Sequence, residues 1–68
     1  MDPMAKNKPL TNAAREQLSD ARLLLESASH NCQAALKQTE DVDQAVATAV
    51  EMTTQALAAL HRLKESRS

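Results

Sequence analysis

The sequence contains no glycine, phenylalanine, tryptophan or tyrosine. Without aromatic residues, and without the glycines that tight hairpins favour, a β-sheet is not expected. The absence of glycine also removes every glycine-rich phosphate-binding loop. A single cysteine excludes an intramolecular disulfide. No apolar run approaches the roughly 18 residues of a membrane span, and the N-terminus carries no apolar signal-peptide core. A net charge of −1 argues against a dedicated nucleic-acid binder, which carries a clustered basic excess. The expected location is the cytoplasm.

What remains favours helix. Ala, Leu, Gln, Glu, Lys and Arg dominate, and these are the strong helix formers. Pro9-Leu10-Thr11-Asn12 is a helix-start signal with Thr11 or Asn12 as N-cap. The polar cluster QTEDVD interrupts the helical residues near position 40, and Asp41 or Asp43 suits the N-terminus of a second helix. The expected organisation is a flexible leader over 1–10, a hairpin over 11–65 and a frayed tail over 66–68. Within the hairpin the first helix covers about 11–38, the loop 39–41 and the second helix 42–65. Met1-Asp2-Pro3 ahead of Met4 has the character of an appended segment.

Both helices carry heptad seams. Ala14, Leu18, Ala21, Leu25, Ala28, Cys32 and Ala35 follow alternating steps of 4 and 3, and so do Val42, Val46, Ala49, Thr53, Ala56, Leu60 and Leu63. Facing residues of an antiparallel hairpin have a constant sum of positions. Ala35 with Val46, Cys32 with Ala49, Leu25 with Ala56 and Ala21 with Leu60 all give 81, which centres the turn near residues 40–41. The expectation is an all-α fold, an antiparallel two-helix hairpin in this register, with Cys32 as a small buried residue.

The second helix is apolar beyond its seam. Ala45, Met52 and Ala59 flank it on one side, Val50 and Leu57 on the other. One partner helix cannot cover so wide a face. A core this small supplies only about 3–5 kcal/mol. A second copy of the chain is therefore expected to complete a four-helix bundle, with Val46, Val50, Thr53, Leu57 and Leu60 at the dimer interface.

The search for chemistry returns little. Ser27 and Ser29 lie near His30, but nothing builds an oxyanion site beside them. His30 and Cys32 are two apart and diverge on a helix, and His61 is distant in sequence. No catalytic residue, metal ligand or cofactor is expected. The outer faces are read instead as binding surface, with Arg15, Arg22 and Glu26 as candidate partner-binding residues.

The segment AREQLSDARLLLESASHNCQAAL followed by DQAVATAVEM, from Ala14 to Met52, resembles the small anti-activators encoded by transposable phages of Pseudomonas. The resemblance implies a helical-hairpin homodimer that binds a host LuxR-type quorum-sensing regulator, the type IV pilus assembly ATPase, or both. The surface associated with regulator binding in that family uses tyrosines. This chain has none, so those contacts carry over to no position, and another host protein fits as the partner equally well. An alternative is a small dimeric RNA- or DNA-binding regulator. Its architecture resembles repressor of primer, with Arg15, Arg22, Arg62, Lys64 and Arg67 toward one end.

Overall fold

In a computed structural model that describes residues 9–67, the chain is a two-helix hairpin: α1 spans Asn12–Lys37 and α2 spans Val42–Arg67. Among the described residues there is no strand. Met1-Asp2-Pro3 and most of the expected leader lie outside the described residues, as does Ser68.

Each helix end is closed by its local sequence. Thr11 is the N-cap of α1: its backbone is extended, and its hydroxyl accepts a hydrogen bond from the Ala14 amide at 3.1 Å. At the other end Gln38 takes the left-handed conformation, with φ 56° and ψ 34°. The Gln38 amide donates to the Ala35 carbonyl and the Thr39 amide to the Ala34 carbonyl, each at 3.1 Å. This is a Schellman closure. Asp41 caps α2, with its carboxylate accepting from the Gln44 amide at 3.3 Å. Four residues thus reverse the chain without a glycine. At its far end α2 runs through Ser66 and Arg67, which the sequence reading placed in a frayed tail. Ser66 is held by its hydroxyl, which donates to the Leu63 carbonyl at 3.0 Å.

The seam between the helices is built almost entirely of methyl groups. Among the described residues the buried apolar ones are Ala14, Ala21, Ala28, Ala34, Ala45, Ala49, Ala56 and Leu63, and no large side chain is fully buried. Small residues let two helix backbones approach closely. Each alanine, however, removes only one methyl from water, about 0.8 kcal/mol.

The helices are turned relative to the expected seam. On α1 the line Ala14-Ala21-Ala28-Ala35 packs inward as expected, but its companion is Gln17-Leu24-Asn31, half-buried, rather than Leu18-Leu25-Cys32. On α2 the inward lines are Ala49-Ala56-Leu63 and Ala45-Met52-Ala59, while Val46 and Thr53 are exposed and Leu60 is only half-buried. Cys32, expected to be buried, is exposed. The inward polar residues are accommodated locally. Asn31, for example, returns its amide to the Ser27 carbonyl at 2.8 Å. Half of each predicted seam therefore joins the two helices, and the other half lies open along one side of the hairpin.

Two stability changes follow. Gln38→Gly relieves a side chain from the left-handed region, where a non-glycine residue costs about 1–2 kcal/mol. Part of that gain is returned through the freer unfolded chain. A net stabilisation of about 0.5–1 kcal/mol is expected as a higher urea midpoint. Ala56→Leu places a branched side chain at a position that is 0 % exposed. It is expected to destabilise the fold by about 1–3 kcal/mol in the same measurement.

Candidate functional site: an apolar side of the hairpin

The open half-seams meet on a single side. Leu18 and Leu25 share a shallow depression with Ala21 and Leu60. Toward the loop, Cys32 shares the next one with Val46, Ala49, Val50, Thr53 and Leu57. Ala21 and Leu60 line one depression and Cys32 and Ala49 the other, which is consistent with the predicted register.

Helical geometry explains the arrangement. Residues seven apart lie almost on one line of a helix. Leu18-Leu25-Cys32 is one such line on α1; Val46-Thr53-Leu60 and Val50-Leu57 are two adjacent lines on α2. Because the helices run antiparallel, rotation in the same sense from each inner face brings these lines to the same side. Their exposure is high for aliphatic residues: Leu25 44 %, Val46 50 %, Leu57 54 % and Val50 60 %. A monomer tolerates scattered apolar residues on its surface, but a contiguous strip of them marks an interaction site.

The opposite side differs in chemistry. There Gln17, Asp20 and Leu24 of α1 face Gln55, Ala58, Ala59 and Arg62 of α2. Leu23, 57 % exposed, lies nearby with Asp20, Leu24 and Ser27. The hairpin is thus two-sided, with one flank aliphatic and the other, more polar flank of mixed character.

All five residues expected at a dimer interface, Val46, Val50, Thr53, Leu57 and Leu60, fall on the aliphatic flank. The heptad reading missed how much α1 adds to that flank through Leu18 and Leu25, because it assigned them to the inner seam. Of the three candidate partner-binding residues, Arg22 and Glu26 border the same depression as Leu18 and Leu25. They pair with each other, Arg22 Nε donating to Glu26 Oε1 at 3.0 Å. Arg15 is exposed and stands seven residues before Arg22, on the same line of α1. The structure therefore places these residues along the rim of the apolar flank.

Among the described residues no group of three or more His, Cys, Asp or Glu side chains is placed to hold a metal ion, and no helix is long and apolar enough to cross a membrane. His30 and His61 are both exposed. No family model, curated protein or solved structure matches the chain.

The Arg22–Glu26 pair is solvent-exposed, with side-chain exposures of 77 % and 57 %. Exposed pairs of this spacing contribute about 0.3–0.5 kcal/mol. Arg22→Ala is accordingly expected to shift folding stability by no more than about 0.5 kcal/mol in urea denaturation.

Proposed function

We propose that the hairpin pairs with a second copy through its apolar flank, forming a four-helix bundle, and that this bundle is a non-enzymatic protein-binding inhibitor or adaptor in the bacterial cytoplasm. The observation that carries the reading is the aliphatic strip from Leu18 and Leu60 to Val46, which runs along one side of a hairpin whose other side mixes polar and apolar groups.

The partner class comes from the sequence resemblance to phage anti-activators. It points to a LuxR-type regulator or the type IV pilus assembly ATPase, or to another host protein taken by the same scaffold. The nucleic-acid alternative is less favoured by the surroundings of its arginines. Arg22 is paired with Glu26, and Arg62 shares its depression with Asp20. Phosphate contacts need cations that are not already offset by neighbouring carboxylates.

Leu57→Glu and Leu23→Glu separate the two flanks. Leu57→Glu places an unpaired carboxylate in the dimer contact, a cost of about 3 kcal/mol or more. In sedimentation equilibrium the dimer is expected to weaken by about 100-fold or more, while Leu23→Glu leaves it intact. Equal behaviour of the two variants refutes the placement. The function itself is tested by mixing the purified protein with a LuxR-type regulator and with the pilus ATPase, and by affinity capture from a Pseudomonas host lysate. A stoichiometric protein complex is expected. Recovery of no partner, together with a gel shift on RNA or DNA that weakens steeply with salt, would favour the nucleic-acid reading.

A further inference from the structure

Each helix carries a line of small residues with a rival line on either side. On α1, Ala14-Ala21-Ala28 has Gln17-Leu24-Asn31 on one side and Leu18-Leu25-Cys32 on the other. On α2, Ala49-Ala56-Leu63 lies between Ala45-Met52-Ala59 and Val46-Thr53-Leu60. The structure turns the first rival of each pair inward. We propose that the hairpin has a second packing, in which both helices turn about their own axes, like meshed gears, and bury Leu18-Leu25-Cys32 against Val46-Thr53-Leu60.

The turn is small. Each inward line is exchanged for its neighbour one residue along the chain: Gln17 for Leu18, Leu24 for Leu25, Met52 for Thr53, Ala59 for Leu60. With the alanine line kept, the centre of the inward face moves by half of one residue's angular step, about 50°. At the radius of a helix backbone that is a shift of about 2 Å, which the four-residue loop between Lys37 and Val42 has to absorb. Because the helices are antiparallel, the same exchange on both keeps their inward faces opposed. Leu36, 85 % exposed at the loop end, stands five full turns from Leu18 and swings inward with it.

Three features leave the turn unhindered. No polar side chain is buried among the described residues. The side-chain hydrogen bonds of Asn31, Gln44 and Thr54 and the Arg22–Glu26 pair each run within one helix and travel with it. No large side chain is fully buried, so none has to leave a closed pocket.

Opposing terms set the balance. The described packing places Ala45 and Ala59 at the seam, which lets the backbones approach, but holds Gln17 and Asn31 at half-burial. The second packing replaces those two with Leu18 and Cys32 and buries Leu25, Val46 and Leu60, which removes more apolar surface from water. Val46 and Leu60 in place of Ala45 and Ala59 also hold the backbones further apart and loosen the contact between alanines. In the second packing the aliphatic flank is inside the hairpin, while Leu24 and Met52 face outward. The fold thus withholds the flank and presents it when something covers it. That consequence rests on the pairing proposed above; the second packing does not, and it is tested on a single copy.

Cys32 reports the turn, because its thiol is exposed in the described packing and inward in the second. The full chain carrying Leu57→Glu serves as parent, so that no second copy shields the thiol, and sedimentation checks that it is monomeric. Alkylation of Cys32 by iodoacetamide is timed in this parent and in three further variants. Leu24→Gln weakens the described packing, Thr53→Val strengthens the second, and Leu25→Gln weakens the second. The first two are expected to slow alkylation by about two-fold or more, as the equilibrium moves toward the packing that covers the thiol. The third is expected to quicken it. With a single packing, Leu24→Gln would loosen the seam and leave the rate unchanged or faster. Thr53→Val, an isosteric change at an exposed position, would then have no effect. A Leu24→Gln rate at or above the parent's, in a chain that circular dichroism shows to be helical, overturns the second packing. If that variant is unfolded, an unchanged Thr53→Val rate overturns it. Failure of the pairing is read separately, from the comparison of Leu57→Glu with Leu23→Glu.

Discussion

The structure depends on a seam of alanines. Ala21 and Ala56, at 1 % and 0 % exposure, are the most completely buried of the apolar residues that join the helices. A methyl-lined contact lets two backbones approach closely and makes their alignment sensitive to any added volume. It also buries little. Helices of this length hold together in water chiefly through tertiary burial of an apolar face. Here the larger aliphatic side chains, Leu25, Leu57, Val46 and Val50, stand outside the seam. The seam therefore specifies how the two helices meet, while most of the burial that would stabilise them lies on the flank beside it.

The loop works under a related constraint. A chain without glycine must place another residue in the left-handed position that ends α1, and Gln38 takes it. The strain is offset by two backbone hydrogen bonds to the Ala34 and Ala35 carbonyls and by the immediate start of α2 at the Asp41 cap. A tight reversal keeps the two helices in a single register. That register decides which apolar residues share the open flank.

Much of this was legible in the sequence. Helix formers, the cap candidates Thr11 or Asn12 and Asp41 or Asp43, and the mirrored heptads located both helices, and the structure selects Thr11 and Asp41 as the caps. What the heptads did not resolve was rotation. A repeat with apolar residues on both sides of its centre line states how wide the apolar face is, and leaves open which half turns toward the chain's own partner helix. On α1 the line Gln17-Leu24-Asn31 is the more polar of the two that flank the alanines. The structure accommodates Gln17 and Asn31 at half-burial and turns Leu18, Leu25 and Cys32 outward. Asn31 meets its hydrogen-bonding need within its own helix. Local satisfaction of that kind makes a polar residue compatible with a seam and weakens hydropathy as a guide to rotation. Of the five residues expected at a dimer contact, Val50 and Leu57 flank the α2 seam while Val46, Thr53 and Leu60 belong to it, and all five lie on one flank because that half of the seam turns away from α1.

The two-sidedness of the hairpin would let so small a protein keep two contacts apart. If the aliphatic flank is occupied by a second copy, another protein must be met by the polar flank or by the rim. On a two-fold symmetric bundle each of those surfaces occurs twice. The polar flank offers Leu23 among Asp20, Ser27 and neighbouring polar groups, a mixed character common to non-obligate interfaces. The rim offers Arg15, Arg22 and Glu26. Interface arginines act most strongly where they are desolvated against a partner, and an exposed intrahelical pair gives up little when it opens. Pairing through aliphatic contacts and recognition through polar ones can then change independently. On such a bundle a substitution on the outer surfaces would alter the contact with another protein without touching the alanine seam or the aliphatic strip.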